Sequence, residues 1–269
     1  MKERDNMLMR DSKFERLIAG LCLILFCWTV PAFGAHPLVS DDTGTQGKGK
    51  AQIEITGQYD EDDEEGLRTE IWEAKAALTL GLFDPLDLIL EAPYDWISTK
   101  NDKSIRQDGF ADLFIALKWR FFEQGGWSFA VKPAVTLPTG KEEKCLGNGR
   151  ASYGIGLITT HASDPWAFHL NLGVTHSDYK LDADKEACRK DTWNASLAAE
   201  YKCSESMKFV ADIGAERNPD VTSVTPPAFI LGGLIYSLSE GVDVDAGIKW
   251  GLSDPEPDIS FLAGMTFRF

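Results

Sequence analysis

The sequence predicts an all-β fold, a transmembrane antiparallel β-barrel of twelve strands with short periplasmic turns and longer extracellular loops. Three observations predict it. A period of two persists from residue 50 to the last residue, short and long connections alternate strictly, and tryptophans gather near strand ends on the apolar phase.

The chain has 269 residues, 43% of them hydrophobic, and a formal net charge of -15. Disordered and collagen-like chains are excluded by that apolar content. Residues 1–35 carry five Lys/Arg against four Asp/Glu, so the rest of the chain is more acidic still. Nucleic acid is therefore excluded as a partner, because binding phosphates requires clustered cations. Beyond the N-terminal stretch, no apolar run approaches the ~18 residues of a spanning helix, which excludes a helical membrane protein.

Leu17 to Val30 form an apolar run of 14 residues behind Lys2, Arg4, Arg10, Lys13 and Arg16, and Pro31 to Ala35 follow. This is the three-part pattern of a secretory signal peptide over residues 1–35, with cleavage after 34 or 35. Leu21 and Phe26 precede Cys22 and Cys27 where a lipid-modified cysteine requires a small residue. Residues 36–49 read as a non-strand lead-in that could occlude the periplasmic mouth, and the barrel occupies 50–269.

Alternation places strands near 50–59, 70–82, 86–97, 110–122, 127–137, 151–161, 166–177, 192–202, 207–216, 228–238, 242–251 and 258–269. The connections at 83–85, 123–126, 162–165, 203–206 and 239–241 are tight. Those at 60–69, 98–109, 138–150, 178–191 and 217–227 are long and polar, and the last, at 252–257, is shorter. A soluble sandwich offers no reason for such alternation, whereas a membrane barrel shows short turns on one side and long loops on the other.

Which face is apolar decides between a soluble and a membrane barrel. Trp72, Trp96, Trp193 and Trp250 fall at loop ends, and Trp119, Trp127 and Trp166 at turn ends, forming two interfacial girdles. Charges keep to the opposite phase, as expected if the apolar phase meets lipid, where Lys or Arg at midplane costs about 2–4 kcal/mol. Strand ten is ambiguous, because Phe229, Leu231 and Ile235 oppose Ile230, Leu234 and Tyr236. The predicted inward set includes Glu73, Lys75, Asp112, Phe114, Lys118, Arg120, Lys132, Val210, Asp212, Asp243, Asp245 and Lys249, a mixed lining for a solute path.

Phe261, Met265, Phe267 and the terminal Phe269 occupy one phase of the last strand. This resembles the assembly signal of bacterial outer-membrane barrels and implies the barrel-assembly machinery, outer-membrane lipid and lipopolysaccharide as partners. The chain also resembles an outer-membrane transporter family labelled "meta-pathway of phenol degradation". The resemblance rests on His36 to Thr45 (HPLVSDDTGT), Ala92-Pro93-Tyr94, Asp108 to Asp112 (DGFAD) and Leu137 to Gly140 (LPTG). It implies location and architecture, with no catalytic residues to transfer.

Little in the sequence points to catalysis. His176 and Ser177 are neighbours on a strand and point to opposite faces. His161 and His169 read as interface or lumen residues, and no cofactor or metal is expected. The acidic run Asp60 to Glu65 reads as a solvated first loop. Cys145 and Cys188, on adjacent outer loops, are expected to form a disulfide, with Cys203 on the periplasmic side. The function expected is a narrow passive conduit for small solutes, aromatic or weakly polar. The alternatives are a structural barrel with a plugged lumen and a lipid-modifying enzyme.

Overall fold

The structure is a computed structural model that describes residues 36–64, 67–100 and 104–269. The signal peptide expected at 1–35 lies outside the described residues. No helix among the described residues is long and apolar enough to cross a membrane.

The strands are β1 (Ala51–Glu64), β2 (Leu67–Phe83), β3 (Leu86–Lys100), β4 (Ser104–Phe110), β5 (Leu113–Gln124), β6 (Trp127–Leu137), β7 (Ser152–Ser163), β8 (Trp166–His176), β9 (Asp191–Lys202), β10 (Met207–Glu216), β11 (Ala228–Ser239), β12 (Val242–Gly251) and β13 (Ile259–Arg268). Every neighbouring pair is antiparallel, and β1 pairs with both β2 and β13, closing the sheet. β4 and β5 are two pieces of one stave: β3 pairs with β4 along Tyr94–Lys100 and with β5 along Leu86–Glu91. The barrel therefore has twelve staves, as the alternation predicts.

Two expected loops are hairpin arms instead. β1 and β2 stay paired out to Glu64 and Leu67, so most of the acidic run is strand and Asp60 is buried on the inner face. Continued cross-strand pairing, with Arg68 bonded to Glu61 and Glu70, offsets the repulsion that suggested a solvated loop. Likewise the 98–109 connection is drawn into β3 and β4.

The outer face is apolar along its length, and the seven tryptophans among the described residues point outward, from 44% to 57% exposed. Trp72 lies directly opposite Trp96 at the loop side, while at the turn side Trp166 packs tilted against Tyr201 and Trp127 stacks on His161. Inside, the lining is polar, with two apolar patches. One joins Ala198, Val210, Phe229, Leu231, Ile235 and Leu262, which settles the phase of the tenth stave: Phe229, Leu231 and Ile235 face inward and Ile230, Leu234 and Tyr236 face lipid. The other joins Ile89, Phe114 and Ala116.

The outer loops are folded onto one another. A short helix, α1 (Asp182–Ala187), precedes Cys188, whose backbone bridges Asp220, and the Arg189 guanidinium donates to the carbonyls of Asn218, Asp220 and Val221. The expected Cys145–Cys188 bridge is not formed: Cys188 is a free, buried thiol, whereas Cys145 is engaged in a disulfide that does not use it. The reason is local, since the α1 turn and the Asp220 bridge fix Cys188 within its own loop pair. Burial, with Asp184 and Asp220 beside it, pushes the Cys188 thiol up to about 12.

Candidate functional site

The candidate site is the lumen, and its main occupant is the chain's own residues 36–50. Glycines at 44, 47 and 49 and Pro37 keep this stretch from strand geometry, and its polar groups seek partners on the wall. The His36 ring pairs with Asp245 on β12. The amides of Val39 and Ser40 donate to Asp212 on β10, at 2.9 and 2.6 Å, and the Ser40 hydroxyl donates to Asp212 and shares a hydrogen bond with the Ser196 hydroxyl on β9, at 2.8 Å each. Leu38 packs onto the apolar patch of Val210, Phe229, Leu231 and Ile235.

Asp41 sits at the centre of this arrangement and is fully buried. Asn171 on β8 accepts from its amide at 2.9 Å and donates to its carbonyl at 2.7 Å. Its carboxylate receives Lys132 of β6 at 2.9 Å and Lys118 of β5 at 3.3 Å. Thr43 then bonds Thr160 and Ser128, Gln46 donates to Asp87, and Lys48 and Thr45 reach Asp84 in the β2–β3 turn. From Asp245 to Lys132 the chain passes to the opposite wall in five residues, a reach of at most about 17 Å. The segment thus crosses the lumen.

The wall is shaped for it. Gly233, Gly247 and Gly264 share the inner face of three adjacent strands, and a Cβ on any of them would lie within 3 Å of His36 or Pro37. Gly81 meets the segment at its other end, where a Cβ would stand 1.9 Å from the Gly47 carbonyl oxygen.

Several residues expected to face a solute are instead committed elsewhere. Asp212, Asp245, Lys118, Lys132 and Val210 hold the segment. Asp112 sits in the break between β4 and β5, where its carboxylate accepts the amides of Gly140 and Asn148 and pins the following outer loop. Asp243 pairs with Arg268 at 2.7 Å, Arg120 with Glu123 at 3.4 Å, and Lys249 with Glu256 at 2.6 Å, its ammonium also lying over the Phe229 ring. Phe114 packs beside Ile89 rather than standing free. Glu73 and Lys75 pair at 3.5 Å in the outer half of the lumen, near Asp60, Glu91 and Asp95.

Ser40, Asp41, Ser128, Thr160, Asn171 and Ser196 also belong to the site, and no sequence pattern assigns them to it. Each is an ordinary inward polar residue or lead-in residue until the barrel closes. His169 joins Thr160 and approaches Glu200, His161 stands in the turn-side girdle, and His176 bonds Asp191 at the loop end with Ser177 on the other face. No nucleophile and base come together at His176 and Ser177.

Below the segment the lumen opens into a vestibule of about 640 Å³ at the turn side, bounded by Asp42, Gln46, Lys50, Gln52, Glu54, Lys118 and Arg268 among others.

Solved structures of similar shape are outer-membrane barrels. The NanC porin superposes with a TM-score of 0.57 over 80% of this chain and 98% of its own, at 11% identity. The transport unit of the autotransporter AIDA-I from Escherichia coli reaches 0.58 over 94% and 97%, at 12% identity, and a KdgM porin described in complex with disordered oligogalacturonate reaches 0.54 over 81% and 99%, at 8%. No curated protein matches the chain by sequence. With its outward girdles and closed sheet the molecule is an outer-membrane β-barrel of porin-like architecture, and by the match over residues 37–269 it belongs to the family described as "Putative MetA-pathway of phenol degradation".

Proposed function

We propose that the barrel is a passive, non-catalytic conduit through which small solutes, aromatic or weakly polar, cross the outer membrane. The observation that carries this reading is the lumen: a closed barrel whose inner wall pairs its charges and opens at the turn side into a vestibule of about 640 Å³, where Gln52, Glu54 and Arg268 stand beside the apolar Ile89. Hydrated charges orient a solute there while Ile89 offers it an apolar contact. Likeness of fold to the NanC and KdgM porins supports it at the level of architecture. The apolar outer face would meet lipid and lipopolysaccharide, and the Phe269 strand would be read by the barrel-assembly machinery.

A second reading, a structural barrel with a closed lumen, is favoured by one feature, the segment spanning the inside. Planar-bilayer conductance and proteoliposome uptake of benzoate separate the two. The parent and a variant lacking residues 36–45 are compared with barrel-free controls. Conductance or uptake above control in either supports the conduit, whereas background values in both leave the structural barrel.

A further inference from the structure

Ala116 is paired with Ala134, and Trp119 with Val131, so Lys118 and Lys132 stand opposite each other on neighbouring strands with their side chains inside the barrel. Like charges in that relation destabilise a sheet unless an anion lies between them. Both side chains are nearly buried, at 8% and 4% exposure, which raises the need for a counter-charge. The ion pairs of Lys118 among the described residues come from Asp41 and Asp42, both in the inner segment, and none from the wall. Asn171 grips the Asp41 backbone independently of its carboxylate.

We propose that Lys118 and Lys132 form a binding site for small organic carboxylates, which Asp41 occupies as a self-ligand. A permeating carboxylate competes with Asp41 for the two ammonium groups, and by taking them it removes the charged contact at the middle of the segment, leaving the Asn171 bonds to the Asp41 backbone. The site thereby both selects the solute and couples its arrival to a loosening of the segment. This rests on the conduit reading for its physiological meaning, but its binding half does not need transport.

Benzoate is the probe, with benzyl alcohol as the ring without the charge, titrated by calorimetry into the folded barrel in detergent. The parent should bind benzoate weakly, because the tethered Asp41 competes at high effective concentration. Asp41→Asn should bind it at least tenfold more tightly, and adding Lys132→Met to Asp41→Asn should remove that gain. Benzyl alcohol should show no such difference. Equal benzoate affinity in parent and Asp41→Asn, retention of the gain after Lys132→Met, or an equal gain for benzyl alcohol would each overturn the proposal. Should Asp41→Asn fail to migrate as a folded, heat-modifiable barrel, a variant lacking residues 36–45 makes the same comparison. Benzoate binding without conductance in any variant would sink the conduit and spare the site. Conductance without the Asp41-dependent gain would do the reverse.

Discussion

Leu38→Ala tests how the segment is held. Leu38 is 4% exposed and packs against Val210, Phe229, Leu231, Ile235 and Leu262. Truncating a buried leucine costs about 2–5 kcal/mol, and the lower part of that range applies here because one side of the seat faces a polar lumen that water can refill. A loss of about 2–3 kcal/mol weakens docking by about 30- to 150-fold, at 1.4 kcal/mol per decade. Hydrogen exchange in detergent micelles reads this directly, since the amides of Val39, Ser40, Asp41 and Thr43 donate to Asp212, Asn171 and Thr160 only when the segment is seated. Their protection should fall by that factor while the amides of β7 to β9 keep theirs, the signature of a local opening. Unchanged protection at Val39 and Ser40 would refute the anchoring role. An equal loss throughout the barrel would show that the substitution acts on the whole fold.

Removal of Phe269, which closes the apolar phase of β13 and exchanges backbone hydrogen bonds with Ala51, should lower the heat-modifiable, membrane-inserted fraction several-fold, and normal assembly would contradict the assembly-signal role. Leu172→Arg, at an outward position that is 46% exposed near the middle of β8, should destabilise the barrel by about 2–4 kcal/mol in reversible urea unfolding in lipid vesicles. A change under about 0.5 kcal/mol would show that this face does not meet hydrocarbon. Maleimide labelling of the folded protein at pH 8, mapped by mass spectrometry, should modify the exposed Cys203 at least tenfold faster than Cys188. The thiolate is the reactive species, and a thiol pushed up to about 12 stays protonated there, so equal rates would contradict the buried seat of Cys188.

The barrel itself was legible because its determinants are local. Side chains alternate every second residue, turn residues punctuate the strands, and tryptophans mark both interfaces, so strand positions follow from short windows of sequence. The hairpin arms were not, because Asp60 to Glu64 carry strand geometry only by virtue of pairing with β2. Least legible was the inner segment. Its partners lie between 77 and 209 residues away at the positions of Lys118, Asn171, Asp212 and Asp245, and no periodicity relates them. Two clues were present. Lys118 and Lys132 fall opposite each other once the β5–β6 turn is placed, which demands an anion. Gly233, Gly247 and Gly264, inward on three strands in succession, leave room that a barrel filled only by its own wall has no use for. The ambiguity of Phe229, Leu231 and Ile235 had the same origin, because apolar residues on an inner wall make sense once Leu38 covers them.

The path of the inner segment also constrains the order of events during biogenesis. Its contacts run from β12 through β10, β9, β8, β7, β6 and β5 to β3, so its seat is divided among strands made early and late. The seat as a whole, running from β3 to β12, is brought together only when β13 pairs with β1 and closes the sheet. The first residues of the described chain are therefore among the last to find their places. Before closure β3 and β12, which hold the two ends of the segment, lie toward opposite edges of an open sheet. Seating of those residues is a completion mark, distinguishing a finished barrel from an open sheet.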